Sequence, residues 1–240
     1  MNTMKAGVLA LGLCALAAPA AAQTLQWTDK GFFAADGGVQ VASHDLTTVA
    51  PFTLYDEDGT VTTSQKVKSG FLFDARGGYR VWRNMAVGLG YSHTGSNSNG
   101  SVTAAVPDPV VFGQPRTVTT SADKLSHSEN ALNLNATWIM PVTDKVDVGF
   151  TAGPTIFFVS QEVVGGVSVT EPGPSVTGTT IDKVSKTTAG INIGVDVSYM
   201  LNKRYGVGGL ARYTWGSAKI ENADLTLGGF QLGGGLRVRF

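Results

Sequence analysis

A period of two runs through most of this chain. Side chains of an extended strand point alternately to opposite faces, so apolar and polar residues taking turns mark a strand with one greasy and one polar side. In the last stretch Phe230, Leu232, Leu236, Val238 and Phe240 share one face, and Arg237 and Arg239 the other. From about Gly31 to His44, Phe33, Ala35, Val39 and Val41 oppose Asp36 and Gln40. Phe71, Phe73, Ala75, Tyr79 and Val81 then oppose Asp74, Arg76 and Arg80, and Met85, Val87, Leu89 and Tyr91 oppose Ala86, Gly88, Gly90 and Ser92. The pattern returns from about His127 to Met140, with Leu132, Leu134, Ala136 and Trp138 against Glu129, Asn133, Asn135 and Thr137. It recurs from Val146 to about Ser160, where Val148, Phe150, Ile156 and Phe158 oppose Asp147, Thr151 and Thr155. Ile191, Ile193, Val195 and Val197 alternate with Asn192, Gly194, Asp196 and Ser198, and Tyr205, Val207, Tyr213 and Trp215 with Gly206, Gly208, Arg212 and Thr214. In the closing strand Leu225 and Leu227 fall on odd numbers and Phe230 onward on even ones, which predicts a bulge at Gly228-Gly229. The total is eight strands.

The connections alternate in length. Arg83-Asn84, residues 141–145 and Asn202-Lys203-Arg204 are short turns. Asp45 to Lys68 reads as a long polar loop turning at Asp56-Glu57-Asp58-Gly59. Residues from about Gly95 to Ser126 read as the longest loop, with Pro107, Pro109 and Pro115 breaking any continuous strand. A third long loop is centred on Glu171-Pro172-Gly173-Pro174 and re-enters a strand near Lys186. An even strand number, with short turns at one end and long loops at the other, predicts an all-β fold: an eight-stranded antiparallel up-and-down transmembrane β-barrel.

Met1 to Lys5 is a short basic start, Ala6 to Ala18 an apolar run too short to span a bilayer, and Ala20-Ala21-Ala22 a small-residue cleavage site. Residues 1–22 therefore read as a cleaved signal peptide, with residues 23–240 as the barrel domain. Cys14, after Leu11-Gly12-Leu13, would resemble a lipoprotein box but for Leu13, and is read as a discarded core cysteine of the signal. The remaining chain has no cysteine for a disulfide or thiolate site. Without Lys5 it carries 17 basic side chains against 18 acidic ones, a balance that does not attract nucleic acid.

The carboxy-terminal strand resembles the assembly signal of outer-membrane proteins, although Gly233 stands where that signal carries a polar residue. The resemblance implies that Phe240 is read by the barrel assembly machinery. As a whole the chain resembles the opacity-protein and outer-membrane protein A transmembrane-domain group. That implies a monomer in the bacterial outer membrane, termini in the periplasm, contact with membrane lipids and lipopolysaccharide, and work in surface structure or adhesion. Because the chain stops at Phe240, the peptidoglycan-binding domain of full-length outer-membrane protein A is not expected.

Alternation alone fits a soluble, lipocalin-like barrel too, with the apolar face inward. Aromatics near strand ends favour lipid: Tyr79, Tyr199, Tyr205 and Phe240 toward the short turns, and Tyr91, Phe158, Tyr213 and Trp215 toward the loops. With the polar face inward, the lumen holds Asp36, Asp74, Glu129, Asp147 and Asp196 against Arg76, Arg80, Arg212, Arg237 and Arg239. An eight-stranded barrel is just wide enough for side chains to fill, so these groups are expected to pair with one another. The preferred reading is a permanent polar plug; the competing one is a gate for ions or small apolar solutes.

No catalytic, cofactor or metal site is assigned. Strand parity turns His44 and His127 inward and His93 outward. The run His93-Thr94-Gly95-Ser96-Asn97 superficially resembles the His-x-Ser-Asn element of outer-membrane lipid A deacylases. Its extra residue puts His93 and Ser96 on opposite faces, which argues against a lipid-modifying enzyme. His127 and Glu129 share a face as a metal pair or an oriented base would, with His44 the available third ligand. Loops carry binding on rigid scaffolds, and the mixed run Val102 to Phe112 is the candidate extracellular contact.

Overall fold

The computed structural model describes residues 26–42, 44–170, 175–220 and 223–240. Their regular structure consists of ten antiparallel strands: β1 (Gly31–Val41), β2 (His44–Leu54), β3 (Glu57–Val67), β4 (Gly70–Trp82), β5 (Met85–Val106), β6 (Arg116–Pro141), β7 (Val146–Thr170), β8 (Ser175–Met200), β9 (Tyr205–Ile220) and β10 (Ala223–Arg239). Eight of them, β1 and β4 to β10, pair with successive neighbours, and β10 closes the ring on β1 from Phe32 opposite Arg239 to Val41 opposite Phe230. The expected signal peptide at 1–22 and the Glu171–Pro174 turn lie outside the described residues.

One end of the ring carries the short turns. Arg83-Asn84, residues 142–145 and residues 201–204 join neighbouring strands, and the Asn202 carboxamide accepts from the Arg204 and Tyr205 amides. Both ends of the described chain meet here. Phe240 accepts from the Lys30 and Gly31 amides and donates to the Gly31 carbonyl, and its ring lies where a Cβ on Gly31 would stand, 2.7 Å away.

At the other end the strands run on far beyond membrane length. A spanning strand needs about 9–11 residues, whereas β5 to β8 have 22 to 26. The predicted loops are largely β-hairpins. Residues 45–68 form β2 and β3, outside the ring, with β3 pairing onto the extension of β5 from Thr60 opposite Ala105 to Gln65 opposite Gly100. The turn is Tyr55-Asp56, both at positive φ, instead of Asp56 to Gly59. A two-residue turn of this hand matches strand twist, and the β-branched Thr47-Thr48-Val49 and Thr60 to Thr63 suit the pleated ladder. Pro107, Pro109 and Pro115 do not interrupt the strands; they sit in the connection between β5 and β6.

The outer face in the ring is apolar, with Leu89 68%, Phe71 63%, Ile193 63% and Leu134 50% exposed, whereas Arg76 inside is 7% exposed. That is the orientation alternation predicts for lipid. In the extension the faces exchange character. Val61, Val102, Ala104, Val106, Leu125 and Val164 pack inside, while Ser101 and Thr103 face out.

This exchange corrects the reading of the closing strand. Leu225 and Leu227 point inward, as Gln231 does, and β10 stays in step with β9 through Leu227–Gly216, Gly228–Trp215, Gly229–Thr214 and Phe230–Tyr213. There is no extra residue, hence no bulge in that ladder. The parity was continuous and the solvent changed. Gly228 and Gly229 do take positive φ, at 82° and 140°.

Candidate functional site

The interior is layered from the turn end outward. At the turn end the segment before β1 folds into the mouth. Trp27 is 2% exposed, packs on Ala86 and Ile139, meets Phe32 edge-on with ring centroids 6.3 Å apart, and donates its amide to the Asn84 carboxamide. Sequence reasoning missed this plug because Trp27 precedes the first alternating segment; the inward, apolar Ile139 was its only trace.

Next comes the charge layer. Asp36 on β1 and Asp74 on β4 are directly opposed in the ladder, a like-charge pairing that would be unfavourable alone. Arg76 resolves it, with Nη1 2.6 Å from Asp36 and 2.5 Å from Asp74, and Nη2 2.5 Å from Asp196 across the lumen. Arg212 reaches Asp74 at 2.6 Å, while Arg237 holds Asp36 at 2.7 Å and Asp196 at 2.6 Å. Three carboxylates and three guanidiniums thus form one neutral cluster. Pairing is what makes burial of such charges tolerable.

The expected match of five acids with five bases holds for Asp147 and Arg239 as well, outside the cluster, and needs correction at two positions, Arg80 and Glu129. Asp147 pairs with Arg239 nearer the turn end, with Asp29 3.8 Å from Arg239, as a separate group. Arg80 donates to the Trp27 carbonyl at 2.8 Å, helping to seat the plug. Glu129 takes no arginine: its carboxylate accepts from Gln40 Nε2 and the Gly228 amide and contacts His127 Nε2 at 2.9 Å. Parity gives a residue's face but not its height along the strand, and height decides which charges meet.

Glutamines join the two layers. Gln231 Nε2 donates to Gln40 Oε1 at 2.6 Å, and its own Oε1 accepts from Arg212 Nε at 2.7 Å. Gly228 shows why its site needs glycine: its positive φ turns the amide to Glu129 and the carbonyl to Gln40, and a Cβ would run into the Thr214 carbonyl. Above Glu129, Leu46, Phe157, Val159, Ile220, Leu225 and Leu227 close the interior with an apolar layer.

His127 is 4% exposed, between Gln161 at 2.7 Å and Glu129. His44 does not complete a metal set: among the described residues no three His, Cys, Asp or Glu side chains stand close enough to share an ion. His93 lies on the outer face against Asn130 at 2.8 Å, and Ser96 opposes the inward His127 in the ladder. The two are therefore not brought together. The candidate binding run divides: Val102, Ala104 and Val106 are wholly buried, whereas Val110 is 87% and Phe112 84% exposed at the distal tip.

Between the plug and the charge layer remains a cavity of about 40 Å³ lined by Trp27, Arg76, Asp147, Asp196, Arg237 and Arg239. It has room for a few water molecules.

Residues 6–240 match the model of a family described as outer membrane protein beta-barrel domain. No curated protein matches the chain. Among solved structures it is similar to neisserial surface protein A, at 13% identity over 88% of this chain and 96% of that one, TM-score 0.48. It is similar also to the N-terminal β-barrel domain of OprF from Pseudomonas aeruginosa, at 11% identity over 88% and 98%, TM-score 0.44. The outer membrane protein OprG from the same organism gives 12% identity over 88% and 97%, TM-score 0.45.

Proposed function

Because this chain belongs to the outer membrane protein beta-barrel domain family, we propose that it is a closed, non-enzymatic barrel of the bacterial outer membrane whose work is done by the extension it displays outside the cell. The observation that carries this reading is the occupied lumen. Trp27, the six-membered charge cluster, the Glu129 layer and the apolar cap follow one another along the axis. Opening such an interior to solutes would require breaking several buried ion pairs at once, each costly when one partner is left alone.

In this reading the short turns and both termini face the periplasm, and residues 1–22 are removed on export. Phe240 serves recognition by the assembly machinery. The barrel is a monomer, its apolar belt meets acyl chains, and the girdles of Tyr79, Tyr205, Tyr213 and Trp215 meet headgroups of phospholipid and lipopolysaccharide. The long hairpins then carry adhesive or other surface contacts.

Planar-bilayer recording of the purified protein tests the closed lumen. The expected trace has no defined steps; steps that change on Arg76 or Arg212 substitution would replace this reading with a small channel. Lipid turnover abolished by His93→Ala or His127→Ala would replace it with an enzyme.

A further inference from the structure

The distal tip combines two features. In the connection between β5 and β6, Val110 and Phe112 stand 87% and 84% exposed, and Val111 between them 44%. The turn of the β2–β3 hairpin lies against it: the Gly113 amide donates to Glu57 Oε2 at 3.0 Å. That turn brings Tyr55, 45% exposed, together with the exposed Asp56 and Asp58.

The tip is also built to keep its shape. The Asp108 carboxylate accepts from the Val110 amide at 2.8 Å and the Val111 amide at 3.1 Å, and Arg116 Nε sits 3.3 Å from its other oxygen. Arg116 donates as well to the Pro107 carbonyl. Tyr55 and Asp56 are both held at positive φ, a conformation that side chains other than glycine adopt at a cost. A contact surface ordered in advance loses little freedom on binding.

Resting on the surface-display reading, we infer that this tip docks a cationic amphipathic polypeptide segment, whose apolar side chains cover Val110 and Phe112 and whose basic ones meet Asp56 and Asp58. Charge complementarity selects that occupant. Asp56, Glu57, Asp58 and Asp108 gather here, and Arg116 beside them already holds Asp108. A polyanion or an anionic membrane would be repelled, and a purely polar partner would leave the apolar pair in water.

The test uses the full barrel folded in uncharged detergent micelles, with empty micelles as the blank. The probe is a fluorescent 14-residue helical peptide of leucine and lysine, its control the same peptide with glutamate for lysine. The lysine peptide is expected to bind and the glutamate one not. Val110→Ser with Phe112→Ser should weaken binding about tenfold, and Asp56→Asn with Asp58→Asn should weaken it and flatten its salt dependence. Asparagine tolerates positive φ, so the second pair keeps the turn. Wild-type affinity in both double variants overturns the inference, as does recruitment of uncharged phosphatidylcholine vesicles in place of the peptide. The same preparations in planar bilayers keep the two readings apart: channel steps would sink the closed-barrel reading whatever the peptide does, and loss of peptide binding in a closed barrel sinks only the docking site.

Discussion

Arg76 is the residue on which the interior depends most. It is the one guanidinium that touches all three carboxylates of the cluster, and Asp36 and Asp74 are forced side by side by the register of β1 and β4. Arg76→Met leaves Arg212 and Arg237 to neutralise three acids, of which Asp36 and Asp74 are fully buried. The expected loss is about 3–5 kcal/mol, the range for breaking a buried pair by removing one partner. Urea unfolding in lipid vesicles measures it, and an unchanged midpoint would mean that water reaches the cluster freely. Asp108 makes the opposite case at the surface. Hydrogen bonds from the Val110 and then the Val111 amide hold its carboxyl below the ordinary 3.8, with Arg116 adding to the effect. A folded-state value below the unfolded one means that the contribution to tip order is present above the unfolded value and lost as pH falls through the folded one. A carbon-detected titration should place the Asp108 midpoint below 3.8, and Asp108→Ala should speed exchange of the Val110 and Val111 amides at neutral pH.

At the scale of elements, the β2–β3 hairpin belongs to no ring ladder, although its Leu46 and Val67 pack in the apolar cap. β1 pairs with β4, not with β2, so the β2–β3 hairpin can be removed without breaking a ring ladder. Replacing residues 44–67 by a short glycine–serine linker should leave the barrel folded, as judged by strand content in the far-ultraviolet spectrum. It should also uncover Val102, Ala104 and Leu125, which pack with Val61 of β3. Protease should then cut within Gly100–Ala122 but not within the membrane part of β5 and β6. This hairpin also marks where legibility in the sequence ended. The spanning strands were readable because lipid outside and charge inside give contrasting faces: parity put Asp36, Asp74, Arg76, Asp196, Arg212 and Arg237 on the polar faces, and the aromatics near the strand ends turned those faces inward. Thr47 to Val49 and Thr60 to Thr63 lie beyond the bilayer, where the outer face is wet and threonine-rich, and the contrast fades into what looks like a polar loop. Trp27 and the glutamine links were invisible for another reason: they depend on which residues share a height, and that is set by register.

The whole molecule is a single tube of strands placed in two solvents, and the side-chain pattern inverts where the solvent does. Along β5, Leu89 looks outward 68% exposed and Ala86 inward; further up the same strand Ser101 looks outward and Val102 inward, wholly buried. Exposure alone cannot tell the two levels apart, since both Leu89 and Ser101 are surface residues by area. A charge can. Leu89→Arg puts a guanidinium into acyl chains, expected to cost about 2–4 kcal/mol near mid-bilayer, whereas Ser101→Arg puts it into water and should change stability by less than about 0.5 kcal/mol. Measured in vesicles, the two variants should differ; in lauryl micelles, which deform around a long basic side chain, the gap should narrow. Equal stabilities of the two variants in a bilayer would place Leu89 outside the hydrocarbon. In that event the apolar belt would have to be covered by protein, and the tube would be one half of a larger assembly.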